Sequence, residues 1–351
     1  MRLPQRFVCT LLFLSLSIPV FAGQAEQQLD EALKLHESGK LKEAIQLYSD
    51  AIKRNPKLAP AYFNRGNAYY DLKQNEKAIQ DYTQAIKLSP KDAEAYYNRG
   101  NVYRRLRKDD LALKDYTAAI KINPEDAKNY VNRGSIYFDT RRYDLAVKDF
   151  SEALRIEPKD ADVFYNRANS YLAMDKKDEA IKDYNEAISL SPTTPEAYYN
   201  RGIAYADGGD QDKAIEDFTE VIKLNPNSAD AFYNRGLARA KLGQHEPAIE
   251  DYGEAMRLNS KDPEAPFNRG LSYLRTEKYD YAARDFTDVI LMRPRNAEAY
   301  VYRGMARLYQ RNEKGADADF QKAFQIDPPL KKKLQALIDE AKQKAKDKEQ
   351  P

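Results

Sequence analysis

The chain has 351 residues, 32% of them charged and 42% hydrophobic, and its 57 basic and 55 acidic side chains leave a formal charge of only +2. That balance argues against a general binder of nucleic acid or another polyanion, which needs a basic face. One cysteine, Cys9, excludes a disulfide framework, and two histidines, His36 and His245, stand in no metal-ligand spacing.

Residues 1–22 read as an export signal. Arg2 and Arg6 form a charged start, Phe7 to Phe21 an apolar run, and Val20-Phe21-Ala22 a cleavage site ending on a small residue. The run is shorter than the roughly 20 residues of a membrane span, and Pro19 interrupts it. The expectation is cleavage near Ala22, no stable membrane span afterwards, and a periplasmic or secreted location. A retained anchor is the alternative. Cys9 lies inside this segment, so the mature chain has no thiol, and without Arg2 and Arg6 its charges cancel. The lack of any Asn-x-Ser/Thr sequon favours a bacterial envelope over a eukaryotic secretory route.

Beyond the signal, the triplet Asn-Arg-Gly recurs every 34 residues, from Asn64-Arg65-Gly66 to Asn268-Arg269-Gly270, with Asn166-Arg167-Ala168 and Tyr302-Arg303-Gly304 as in-register variants. A strict period of this length is one supersecondary unit copied in series. With Ala59 as position 1, aromatic residues dominate position 4, small residues occupy position 8 and tyrosine dominates position 11. These spacings of three and four mark one stripe of a first helix. A second helix carries Ala78 and its equivalents at position 20 and an aromatic at position 24, and a proline such as Pro90 closes the unit.

This pattern resembles the tetratricopeptide repeat family. The resemblance implies an all-α fold, a right-handed superhelical α-solenoid of nine 34-residue helix-turn-helix repeats, at 25–58 (a degenerate cap with Gln28, Glu31 and Ala32), 59–92, 93–126, 127–160, 161–194, 195–228, 229–262, 263–296 and 297–330. Residues 331–351 follow as a capping helix with the apolar stripe Leu330, Leu334, Leu337, Ile338 and Ala341, then a polar end with Lys342, Lys344, Lys346 and Lys348. At 260–266 the pattern breaks. Ser260 replaces the closing proline, Arg239 replaces a tyrosine, and Pro263 and Pro266 predict a late helix start near Pro266 after a slack joint.

Position 7 is usually Leu in the family, but here it is Arg65, Arg99, Arg133, Arg167, Arg201, Arg235, Arg269 and Arg303. Position 23 answers with Asp81, Asp115, Asp149, Asp183, Asp217, Asp251, Asp285 and Asp319. Both are missing from the degenerate first repeat, which predicts a ladder of structural Arg–carboxylate pairs, with the Asp of the same or of the adjoining repeat. The other reading, an Arg row for an anionic ligand, has an Asp supplied against every Arg.

In the family the first helices line a concave groove that takes extended peptides or helices. The resemblance puts positions 2, 5, 6, 9, 12 and 13 there. Position 6 supplies Asn64, Asn98, Asn132, Asn166, Asn200, Asn234 and Asn268, amides suited either to a ligand backbone or to bridging between helices. Position 5 adds Tyr97, Tyr165, Tyr199 and Tyr233, and position 9 turns from Asn67, Asn101, Ser135 and Asn169 to Ile203, Leu237, Leu271 and Met305. An apolar groove surface marks a partner site, and tighter packing is the rival explanation. With position 2 mainly acidic, a basic clamp for a terminal carboxylate is not expected.

No Gly-rich phosphate loop and no nucleophile–base pair occurs, so no catalytic residue, metal or cofactor is expected. The reading is a non-enzymatic scaffold that binds a protein or peptide partner, in cell-envelope assembly. The alternatives are a self-associating structural protein and a polysaccharide-binding groove.

Overall fold

A computed structural model of the protein describes residues 14–347. Arg2, Arg6 and Cys9 of the expected signal and Lys348 of the polar end lie outside the described residues, as do the side chains of residues 14–22, Leu337, Lys344 and Lys346. Among the described residues all regular structure is helical. None of these helices is long and apolar enough to cross a membrane.

The chain forms two compact units, divided after Ser170. The first holds α1 (Leu14–Glu37), α2 (Leu41–Arg54), α3 (Ala59–Asp71), α4 (Asn75–Leu88), α5 (Ala93–Arg105), α6 (Asp109–Ile122), α7 (Ala127–Asp139) and α8 (Tyr143–Ile156). The division falls within α9 (Ala161–Ala173). The second unit holds α10 (Lys177–Leu190), α11 (Pro195–Gly208), α12 (Gln211–Leu224), α13 (Ala229–Lys241), α14 (His245–Leu258), α15 (Glu264–Arg275), α16 (Tyr279–Met292), α17 (Ala297–Tyr309), α18 (Glu313–Ile326) and α19 (Pro328–Asp347). In each unit successive helices pack pairwise, and the first helices of neighbouring repeats also touch (α3 on α5; α11, α13, α15 and α17 in a row), so they form one face.

Local chemistry explains the boundaries. Asp92, Asp126, Ser228 and Asn296 accept backbone N–H bonds at the starts of first helices, satisfying donors that lack an intrahelical partner. The turn to the second helix is left-handed at the same place in every repeat. Gly209 (φ 92°) and Gly243 (φ 76°) take it without strain, whereas Lys73, Arg107, Arg141, Asp175, Glu277 and Arg311 take it at φ 57–63°, at a cost of about 1–2 kcal/mol each.

The core repeats with the sequence. The alanines at position 20 are buried, and so are the rings at position 24, such as Tyr82, Phe150, Phe218 and Phe286. Each such ring contributes about 1.5–3 kcal/mol by leaving water. The glycine at position 8 admits it: a Cβ on Gly236 would lie 2.8 Å from Tyr252, and one on Gly304 would lie 2.6 Å from Phe320.

The arginines at position 7 meet the aspartates of their own repeat. Arg65 donates from Nε and Nη2 to both oxygens of Asp81 at 2.7 and 2.8 Å, and the same two-point contact joins Arg99–Asp115, Arg133–Asp149, Arg201–Asp217, Arg235–Asp251, Arg269–Asp285 and Arg303–Asp319. Arg167 and Asp183 hold the equivalent positions, and Asp183 is buried. Burial pushes the Asp217 and Asp285 carboxyls up even beside their arginines, so the charged pairs form against a desolvation cost.

The third nitrogen reaches backwards. Nη1 of Arg65, Arg99, Arg133, Arg167, Arg201, Arg235 and Arg303 donates to Ser49, Thr83, Thr117, Ser151, Asn185, Thr219 and Thr287 of the preceding repeat at 2.6–3.2 Å. The exception is Arg269, which faces Gly253 at that place.

That exception lies at the aberrant junction, where one expectation needs correcting. Helix α15 starts at Glu264, one position later than the other first helices but two residues before Pro266. Pro266 falls in its first turn, where backbone N–H groups have no intrahelical acceptor, so proline costs nothing there. Arg239 is no gap in packing either: it donates to Asp251 at 2.8 Å as a second arginine, as Arg307 does to Asp319 at 2.7 Å.

Helix α19 closes the second unit on α17 and α18 with Leu330, Ile338 and Ala341 buried and Leu334 partly so. Lys342, expected in a loose polar end, is instead ion-paired to Asp317 at 2.9 Å, because its position follows the buried stripe.

Candidate functional site

In the first unit the first-helix face is polar and largely self-satisfied. Asn132 donates to the Tyr97 hydroxyl at 3.0 Å and accepts from Arg104, and Asn98 donates to the side-chain Oδ1 of Asn67 at 3.0 Å. Asn64 donates back to the Pro60 carbonyl of its own helix. The amides of Asn67 and Asn101 each accept from a tyrosine hydroxyl at position 24, Tyr82 and Tyr116, both at 2.7 Å. Position 9 is therefore polar here in the service of the core, since a buried hydroxyl needs a partner. Asn166 and Tyr165 stand on α9.

In the second unit the asparagines bridge as well. Asn234 donates to the Tyr199 hydroxyl at 2.9 Å, and Asn268 donates to Tyr233 at 3.1 Å and to the Glu264 carbonyl. Burial pushes the Tyr233 phenol up to about 12, so it stays protonated. Asn98, Asn132, Asn234 and Asn268 thus tie their first helices to the ones before them, and Asn200 occupies the same position on α11.

Repeats seven to nine differ, because position 9 is now Leu237, Leu271 or Met305. With Leu237 in place of an amide, Tyr252 faces no asparagine acceptor, and a cavity of ≈ 680 Å³ opens beside it. Leu237 and Leu271 line this cavity half-buried. Met305 reaches it too, but is only 6% exposed and packs with Leu308 and Leu330 as core. Asn268 lines it as well, and Glu340 and Ala341 of α19 form its end.

Sequence reasoning missed three contributors. His245, from the start of α14, lines the cavity with a buried Nδ1 that has no hydrogen-bond partner. Burial first, and then Arg275, hold its imidazole below the ordinary histidine range. Lys241 and Arg275, at position 13 of successive repeats, stand exposed on the rim. The pairing of Tyr252 with Leu237, where other repeats pair tyrosine with asparagine, was the available signal. The volume and mainly apolar lining match those of ligand-binding clefts. Among the described residues no cluster of metal-ligating side chains occurs.

The paired helices and in-register motif agree with the comparisons. The TPR repeat family matches residues 32–73, 66–107, 134–175, 169–207 and 204–243, and further tetratricopeptide repeat matches cover 93–126, 229–262 and 267–330. The chain belongs to the tetratricopeptide repeat family. Among solved structures, a tetratricopeptide repeat protein from Parabacteroides merdae is similar at 22% identity and a TM-score of 0.50, over 71% of this chain and 99% of that one. The C-terminal part of a TPR repeat-containing protein from Cytophaga hutchinsonii is similar at 18% identity and a TM-score of 0.53, over 77% and 97%. YrrB, described as a TPR protein with an unusual peptide-binding site, aligns at 26% identity and a TM-score of 0.49, over 56% and 97%. No curated protein matches the chain.

Proposed function

We propose that this protein is a non-enzymatic interaction scaffold whose first-helix face in repeats seven to nine binds an extended peptide or a helix of a partner protein. The observation that carries the reading is the ≈ 680 Å³ cavity on that face. It lies where position 9, filled by Asn67, Asn101 and Asn169 in earlier repeats, is Leu237 and Leu271. A cleft of this size that combines apolar side chains with several polar ones is the usual form of a binding site. The amide-rich face of the first unit, by contrast, spends its donors on neighbouring repeats, so the asparagine row serves cohesion before recognition.

The reading includes export to the cell envelope after cleavage near Ala22. Cleavage there would shorten α1 but spare Ala25, Leu29 and Ala32, the residues by which it is buried. Mass spectrometry of the protein recovered from an envelope fraction tests this, and an intact residue 1–22 segment would refute it.

The scaffold reading is tested by capture from envelope extract with the wild-type chain, with Leu237→Asp/Leu271→Asp, and with Lys148→Asp on the second-helix surface. A discrete partner set lost only with the groove variant is expected. Equal recovery by all three would count against the site.

A further inference from the structure

The cavity of repeats seven to nine carries more chemistry than an apolar slot requires. One buried polar atom on its wall, Nδ1 of His245, has no hydrogen-bond partner, and Tyr252, which also lines it, faces Leu237 where Tyr82 and Tyr116 have an asparagine acceptor. Equivalent groups on the first-helix face of other repeats are matched, as with Tyr116 on Asn101 or Asn234 on Tyr199. A buried donor or acceptor left open is a standing cost that the right ligand removes. The rim is charged in one sense. Lys241 and Arg275 form no ion pair with any described residue and stand exposed, so both charges are available at the rim. The one carboxylate at the cavity, Glu340, stands at the α19 end and has a contact of its own.

Resting on the scaffold reading above, we propose that this cavity takes one large apolar side chain from an extended partner segment whose flanking residues are acidic. The apolar side chain fills the space between Leu237, Leu271 and Leu274. Acidic neighbours reach Lys241 and Arg275 on the rim, where charge complementarity selects the partner and speeds its arrival. The segment is extended, because only then are its backbone N–H and C=O groups available to His245 and Tyr252; in a helix they are used internally.

The test is fluorescence anisotropy on the full chain with three fluorescein-labelled peptides: Glu-Glu-Leu-Phe-Glu-Glu, Lys-Lys-Leu-Phe-Lys-Lys and Glu-Glu-Ala-Ala-Glu-Glu. The first should bind, more weakly as salt is raised, and the other two at least about tenfold less tightly. Lys241→Glu/Arg275→Glu, both on exposed positions, should weaken the first peptide about tenfold and improve the lysine peptide. Ala240→Trp, which fills the cavity, should abolish binding of the first, with circular dichroism and thermal melts confirming that each variant is folded. Equal binding of the lysine and glutamate peptides, both lost in Ala240→Trp, would overturn the acidic specificity and leave the scaffold reading intact. Failure of all three peptides to bind would overturn the inference, while the capture experiment decides the scaffold reading separately.

Discussion

Replacing Gly253 by threonine should strengthen the junction between repeats seven and eight. In seven other junctions a Ser, Thr or Asn at this place accepts a hydrogen bond from the arginine of the next repeat at 2.6–3.2 Å. Thr219 and Thr287 also donate to the carbonyl one turn back in their own helix, both at 2.7 Å, which turns a lone pair toward the guanidinium. At Gly253 an added Cβ would meet only Nη1 of Arg269, at 3.6 Å, an ordinary contact. Helix propensity alone favours threonine over glycine by a few tenths of a kcal/mol. A hydrogen bond to a charged donor is worth about 1.5–3 kcal/mol, and partial solvent exposure places this one at the low end. The sum is a gain of roughly 1.5–2 kcal/mol. Urea unfolding followed by circular dichroism measures it, and hydrogen exchange over residues 253–268 localises it. Gly253→Ala is the control: without the new bond alanine should exceed threonine by about 0.6 kcal/mol. If alanine proves the more stabilising, the backward hydrogen bond contributes nothing and the reasoning fails.

Asn129 occupies position 3, which is alanine in six repeats and Val163 in another, and it is fully buried with both side-chain polar atoms unpaired. Asn129→Ala should therefore stabilise the first unit by about 1–3 kcal/mol, read as a higher urea midpoint; a loss would mean the amide is satisfied. Arg133→Met leaves the 2% exposed Asp149 without its partner and should cost about 3–5 kcal/mol, whereas Arg133→Met/Asp149→Leu should recover most of that loss; equal melting of the single and double variants would contradict a buried pair. His245 has its folded-state affinity for protons lowered by burial and then by Arg275. The unfolded chain thus protonates first, and this stabilising contribution at neutral pH is lost as the pH falls below about 6.5. His245→Gln should gain stability relative to wild type between about pH 7.5 and about pH 5.5; parallel pH curves would refute the assignment.

Much of the architecture was legible because a 34-residue period exposes which residues change together. Arg65 and Asp81 share that period, and so do their equivalents down to Arg303 and Asp319, so a contact between the two rows could be read from the sequence. The choice between the same and the adjoining repeat could not, because position 23 lies on a face available to both. The backward bond to Ser49 and its equivalents escaped notice because a hydroxyl midway along a helix looks like ordinary solvated surface. Pro266 misled for a different reason: proline stops a helix interior but suits its first turn, and only coordinates show which of these a given proline occupies. The cavity was half visible. In the sequence the apolar turn at Leu237 is a surface property, yet its effect comes from what it takes away, an asparagine acceptor beside Tyr252 on the neighbouring helix.

The direction of the arginine bonds also bears on how such a chain can grow or shrink. Each guanidinium and its carboxylate lie 16 residues apart within one repeat, while the link to the previous repeat ends on a neutral hydroxyl or amide. A cut between repeats severs that neutral link and exposed ion pairs such as Arg155–Glu125, and strands no buried charge on either side. Whole repeats can therefore be gained or lost without leaving a buried arginine or aspartate unpaired, so the ladder itself sets no limit on the number of repeats.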